Sequence, residues 1–179
     1  MSISTTWSGG RGASVTERPP LRADEILRRL VERGVDFVVI GGIAAVLHGS
    51  ARNTFDLDIC FATDEANLGA LGDVLTALGA RPKGVDEDVP FVADARTFRQ
   101  VELLTLVTSL GELDVLARPP GAPAFQELRR NADRYDLGGF NVSVASIDDL
   151  IAMKEAAGRA KDLLDIEELE AIKRLRRGR

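Results

Sequence analysis

Asp56 and Asp58 stand two residues apart in Phe55-Asp56-Leu57-Asp58-Ile59-Cys60-Phe61, a run of otherwise apolar residues that reads as a β-strand. Alternate residues of a strand share a face, so both carboxylates project from the same side. Two like charges about 4 Å apart, at an effective dielectric near 20, repel by roughly 4 kcal/mol. A hard cation resolves that repulsion, and oxygen donors without His or Cys point to Mg²⁺ or Mn²⁺. Upstream, Gly41-Gly42 lies between the apolar segment Val35–Ile40 and an Ala-rich helical stretch. A glycine turn feeding a helix N-terminus aims backbone N–H groups at an anion, which suits phosphate. Metal and phosphate on adjacent elements indicate metal-assisted phosphoryl or nucleotidyl transfer.

That chemistry calls for a third carboxylate, to help hold a metal and to accept the proton of an attacking hydroxyl. Asp114 is the leading candidate: it sits inside Glu112-Leu113-Asp114-Val115-Leu116, and strands disfavour Asp without a reason. The plainer alternative is a solvent-facing residue on an edge strand, alternating with Glu112. Asp94 and Asp88 are the other candidates. Arg52, in Ser50-Ala51-Arg52-Asn53-Thr54, has two readings. It forks onto a triphosphate, or it caps a helix or pairs with a surface acid. Ser50 is a further candidate phosphate contact. His48 reads as a packing or capping residue and Cys60 as a small core residue. Lys154, Arg159 and Lys161 cluster before an acidic helix start, where Asp162 is a natural helix cap.

Gly41-Gly42, thirteen intervening residues and then Asp56-Leu57-Asp58-Ile59 resembles the nucleotidyltransferase superfamily related to DNA polymerase β. The wording GGIAAVLHGSARNTFDLDI is similar to its small bacterial branch, which includes abortive-infection-type toxin nucleotidyltransferases and some antibiotic nucleotidyltransferases. The resemblance covers about residues 24–170 and is strongest over 35–61. One departure is Gly42, where many members carry Ser, so backbone N–H groups must take over that hydroxyl's work on a triphosphate. The resemblance implies an NTP substrate, Mg²⁺ or Mn²⁺ on Asp56, Asp58 and Asp114, and a triphosphate against Gly41 and Gly42. It also implies that Lys154 faces the phosphates, with Asp162 or Asp165 orienting it. The implied acceptor is an RNA, a tRNA 3′ end in toxin-type relatives, or alternatively an aminoglycoside-like small molecule. A cognate antitoxin is the implied protein partner. A non-catalytic binding module that keeps the fold is the rival reading, but such a module would be expected to lose the carboxylates or glycines, and all are present.

The elements that must position these residues follow from the hydrophobic pattern. A helix over Asp24–Arg33 stops at Gly34, and a buried apolar strand runs Val35–Ile40. The short Ala-rich helix ends at Gly49, and Phe55–Phe61 forms the carboxylate strand. A helix runs Asp64–Leu78 with Gly79 as its stop. Residues 82–96 lack a period and read mostly as loop. Val101–Thr108 and Glu112–Leu116 form a hairpin-like pair, Ala124–Ala132 a helix, and Tyr135–Val144 a second hairpin. Helices from Ser146 to Gly158 and Lys161 to Leu175 close the chain. Strands and helices in non-alternating order give an α+β, mixed α/β fold, a mixed central sheet flanked by helices with C-terminal helices. A flexible arm over residues 1–21 precedes one domain over 22–179, with its core at 35–116 and a helical part at 146–175.

Composition sets the outer limits. The 179 residues carry 28 acidic and 23 basic groups, a net charge of −5, which argues against a molecule coated with positive charge for nucleic acid. The C-terminal IKRLRRGR holds five Lys or Arg in eight residues. It reads as a solvated helix end whose cations complement the dipole, with phosphate-backbone contact as the alternative. The acidic residues 86–88 would suit a cationic acceptor. One Cys excludes an intrachain disulfide, and no apolar run is long enough for a membrane helix. The N-terminal residues lack the apolar core of a signal peptide, so a cytoplasmic protein with no membrane partner is expected.

Overall fold

The computed structural model describes residues 19–86 and 89–178. Helix α1 (Ala23–Glu32) packs Ile26, Leu27 and Leu30 inward, each at most 1% exposed. Strand β1 (Phe37–Ile40) is buried on both faces. It starts two residues later than the apolar pattern predicts because Asp36 is held from outside the sheet: Asn67 accepts from its N–H and donates to its carbonyl. Then come α2 (Gly41–His48), β2 (Asp56–Phe61), α3 (Glu65–Ala77), and β3 (Arg81–Pro82). A short helix α4 (Ala95–Gln100) follows, capped by Asp94, whose carboxylate accepts from the Thr97 N–H. Both β3 and α4 lie in or beside the stretch read as loop. They are too short, at two and six residues, to show a period.

The remaining elements are β4 (Leu103–Thr108), β5 (Gly111–Leu116), α5 (Phe125–Asn131), β6 (Asp133–Asp136), β7 (Asn141–Val144), α6 (Ile147–Ala157) and α7 (Ala160–Arg177). The strands form one mixed sheet in the order β3-β4-β5-β2-β1-β7-β6. Parallel pairs are β2 with β5 and β1 with β7, and the rest are antiparallel. The fold is therefore mixed α/β, as the pattern implies. β5 lies inside the sheet between β4 and β2, which overturns the edge-strand alternative for Asp114.

Fully buried Leu57, Ile59 and Leu113 alternate with the carboxylates and face the core, with Leu106 of β4 opposite Leu113, each worth roughly 1.5–3 kcal/mol of transfer free energy. The apolar half of the alternation thus fixes which face the acids must take. Of the arm expected over 1–21, residues 1–18 lie outside the described residues. The arm's last residue does not hang free: Leu21 packs against Gly111, and the next residue, Arg22, donates its N–H to the Leu110 carbonyl at 2.8 Å. No helix among the described residues is long and apolar enough to cross a membrane.

Candidate active site

Strand register places the carboxylates. In the parallel pair β2–β5, Asp58 lies opposite Asp114 and Asp56 opposite Glu112. Asp56, Asp58 and Asp114 line one cavity of about 400 Å³, together with Gly41, Gly42, Ser50, Arg52 and Lys154. These eight residues, singled out in the sequence, thus line the same hollow. Glu112, the fourth acid of the two strands, is buried and pairs through Oε2 with the Lys83 ammonium at 2.6 Å.

The crowding is visible in the acid strengths. Burial, then the neighbouring charges of Asp56 and Asp114, push Asp58 up to about 7, against the Gly42 N–H and Lys154, which pull it down. Asp114 is also raised, mainly by burial, while a hydrogen bond from the Thr105 hydroxyl on β4 opposes this. Asp56 accepts the Thr54 hydroxyl at 2.9 Å. Such a donor set suits a hard dication, which would relieve the mutual repulsion. Among the described residues no three ligating side chains are already gathered into a cage.

The glycines are needed for close approach. Gly41 opens α2 at φ +63°, and a Cβ there would lie 2.0 Å from Asp58 Oδ2. A Cβ on Gly42 would lie 2.5 Å from the Thr54 hydroxyl. A larger residue at either position would push the carboxylate strand, or the loop before it, away from the helix start. The Gly42 N–H donates to Asp58, so the turn fixes this carboxylate directly.

Across the cavity, Lys154 of α6 and Arg159, the N-cap residue of α7, bring cations, and α7 itself brings Asp162, Asp165 and Glu168. Lys154 donates to Asp165 Oδ2 at 2.6 Å and stands 3.7 Å from Asp162. Arg52 lines the cavity and is ion-paired to Asp165, which is a buried acid and not one on the surface. Asp162 is buried and grips Arg159 through Nε at 2.7 Å and Nη2 at 3.1 Å; the cap of α7 is Arg159, and Asp162, at the third helical position, accepts its N–H to complete a capping box. These bonds, the Arg159 guanidinium first, hold Asp162 below the usual carboxylate range.

Ser50 is placed in the cavity wall with its hydroxyl engaged: it donates to Glu168 Oε2 at 2.8 Å, while Glu168 Oε1 accepts the Ala51 N–H at 2.9 Å. Glu168 escapes sequence reasoning because its partners lie 117 and 118 residues away. Thr54 did carry a signal, since it continues the 54, 56, 58 alternation. The other candidates go elsewhere. Asp94 caps α4 and does not line the cavity, Asp88 lies outside the described residues, and Asp86 lines no described cavity. His48 is buried behind α2, bonded to the Ala145 carbonyl at 2.8 Å and the Tyr135 hydroxyl at 3.0 Å. Cys60 is buried, its thiol pushed up to about 12.

Comparisons with known proteins agree with this geometry. A family model described as nucleotidyl transferase AbiEii toxin, type IV TA system, matches residues 25–176. No curated protein matches the chain. Among solved structures, the lincosamide antibiotic adenylyltransferase LnuA, lincomycin-bound, is similar over 86% of this chain and 99% of its own, with 18% identity and a TM-score of 0.58. ANT(2″)-Ia in complex with adenylyl-2″-tobramycin is similar over 87% and 92%, with 18% identity and a TM-score of 0.51. An antigenic nucleotidyltransferase-like protein from Paracoccidioides brasiliensis is similar over 87% and 78%, with 20% identity and a TM-score of 0.51. At these identities the structures share the fold.

Proposed function

Because the chain belongs to the AbiEii family of nucleotidyl transferase toxins of type IV toxin–antitoxin systems, we propose a metal-dependent transfer of NMP from an NTP to RNA. The observation that carries this reading is the pairing of Asp58 with Asp114 across β2 and β5, facing Lys154 and Arg52 over one cavity. Asp56, Asp58 and Asp114 would hold Mg²⁺ or Mn²⁺. Bound there, the ion neutralises charge on the entering and leaving oxygens of the displacement.

The chain's own residues do the rest. Asp114, with its raised proton affinity, accepts the proton of the acceptor hydroxyl. The freed oxygen attacks the α-phosphorus, the bond from that phosphorus to the bridging oxygen of the β-phosphate breaks, and pyrophosphate leaves. Lys154 and Arg52 exchange Asp165 for phosphate oxygens, and the start of α2 at Gly41–Gly42 adds its dipole. Asp165 keeps both cations in place before a nucleotide arrives.

RNA, a tRNA 3′ end in particular, is the acceptor we assign, and a cognate antitoxin the partner, both on the family's toxin character. The exposed Arg174 and Arg177 of α7 and the cationic Lys154–Arg159 rim support an anionic acceptor. The test is to incubate the protein with each α-labelled NTP, with Mg²⁺ or EDTA, and with RNA or tobramycin. Label on RNA only with Mg²⁺ is the expected result, lost in Asp114→Asn while NTP still binds. Label on tobramycin and never on RNA would overturn the acceptor assignment.

A further inference from the structure

A second cavity, of about 270 Å³, shares Gly41, Asp58, Asp114, Lys154 and Arg159 with the first. The walls it does not share carry no charge: Leu103, Leu116, Pro119, Pro120, Leu150 and Met153 are the chief lining groups. This wall is held in shape. The Pro119-Pro120-Gly121 turn closes with the Ala122 N–H on the Pro119 carbonyl at 3.1 Å, and Gly121, at φ +76°, lies so close to α6 that a Cβ would sit 2.4 Å from the Ala152 carbonyl oxygen. The two hollows therefore meet at Asp58, Asp114, Lys154 and Arg159; away from that junction the first is lined by charged and polar groups, Arg52 among them, and the second by hydrocarbon.

From this division we infer that the apolar cavity is the acceptor subsite, and that it takes an uncharged planar ring joined to the sugar whose hydroxyl meets Asp114. This rests on the nucleotidyltransferase reading above. A triphosphate fits the polar hollow, which adds Arg52 and Gly42 to the shared Lys154, Arg159 and helix start, and this leaves the hydrocarbon walls of the second for the other substrate. A polycationic acceptor would set its ammonium groups against Leu, Pro and Met walls beside Lys154 and Arg159, with no acid there beyond the two reactive carboxylates. A nucleobase gains from the same walls, because burying its faces removes apolar surface from water. Terminal nucleosides of RNA and free nucleosides both carry this group, and polycationic aminoglycosides do not.

The experiment compares two labelled RNA hexamers, identical except that one ends in an abasic ribose, by fluorescence anisotropy. Wild-type protein binds the base-bearing end about tenfold more tightly, the scale expected of one buried ring face. In Leu103→Glu, whose parent side chain is 50% exposed so that the fold tolerates the change, that preference disappears. Competition by free nucleosides as strong as by the hexamer would assign the subsite to small nucleosides; competition only by the hexamer assigns it to a polymer end. Equal affinity for both hexamers, no binding of the base-bearing one, or stronger competition by tobramycin than by any nucleoside would overturn the assignment. So would Leu103→Glu abolishing the rise in melting temperature given by NTP with Mg²⁺, since the cavity would then hold the nucleotide's own base. Absence of that rise in wild type would instead count against the nucleotidyltransferase reading itself.

Discussion

Burial and two neighbouring acids give Asp58 a proton affinity near pH 7, far above its ordinary 3.8. The sign of the resulting pH dependence is fixed. Between those values the folded chain holds a proton that the unfolded chain has released. The associated stability is complete below about pH 4 and is lost as pH rises through about 7. In EDTA the melting temperature should fall between about pH 4 and pH 7, and Asp58→Asn should flatten that fall. At ~1.4 kcal/mol per pH unit of displacement, the variant should be more stable than wild type at alkaline pH by up to a few kcal/mol, while transfer collapses. A steeper fall in the variant, read by calorimetry, would refute the electrostatic account. Asp56, Asp58 and Asp114 were legible in the sequence because strand alternation exposes parity, and an acid among β-branched and aliphatic neighbours stands out. Glu112 shares that parity with Asp114, yet it is answered by Lys83 from a segment with no local pattern.

Between elements, the tightest fit is the start of α2 against the loop entering β2. Gly42→Ala would drive a methyl into the Thr54 side chain, 2.5 Å from its hydroxyl and 2.8 Å from its Cβ, and should cost about 1–3 kcal/mol. Combined with Thr54→Gly, the two losses should sum to less than their separate values in a double-mutant cycle. Strict additivity would mean that the collision is relieved elsewhere. A second joint is the grip of Glu168 on Ser50 and the Ala51 N–H, which sets the loop carrying Arg52. Glu168→Gln should raise the KM for NTP severalfold with a smaller effect on kcat, because it loosens a positioning loop and leaves the carboxylates in place. A loss confined to kcat would contradict this. Most elements were readable from period and glycine stops: Asp64 caps α3, and Ser146 caps α6, each accepting the N–H three residues on. The order of strands was not readable, since it depends on pairings between distant segments that leave no local trace.

Over the whole molecule, charge is sorted by place. The net charge of −5 is compatible with an anionic substrate because Arg52, Lys154 and Arg159 line the cavity and Arg174 and Arg177 are exposed on α7. Part of that basic end is structural: Lys173 pairs with Asp148, and Arg176 donates to the Tyr135 hydroxyl at 2.8 Å and the His48 carbonyl at 3.3 Å. Neither the bare solvated end nor a wholly phosphate-binding one describes it. Replacing exposed Arg174 and Arg177 with Ser should lower the slope of log affinity for RNA against log salt by ~0.7 per lost phosphate contact on a single strand, with the melting temperature unchanged. An unchanged slope would remove these residues from the RNA interface. Helix α7, through Asp165, Glu168 and Arg176, also ties down the segment from His48 to Arg52. Translation runs from the N-terminus, so the ribosome delivers all three carboxylates well before the helix that braces the site opposite them. A nascent or prematurely ended chain therefore holds the three carboxylates while the loop from Ser50 to Arg52 is still unbraced. The polypeptide thus sets its own order of assembly: the acids come first, and the brace that completes their pocket comes last.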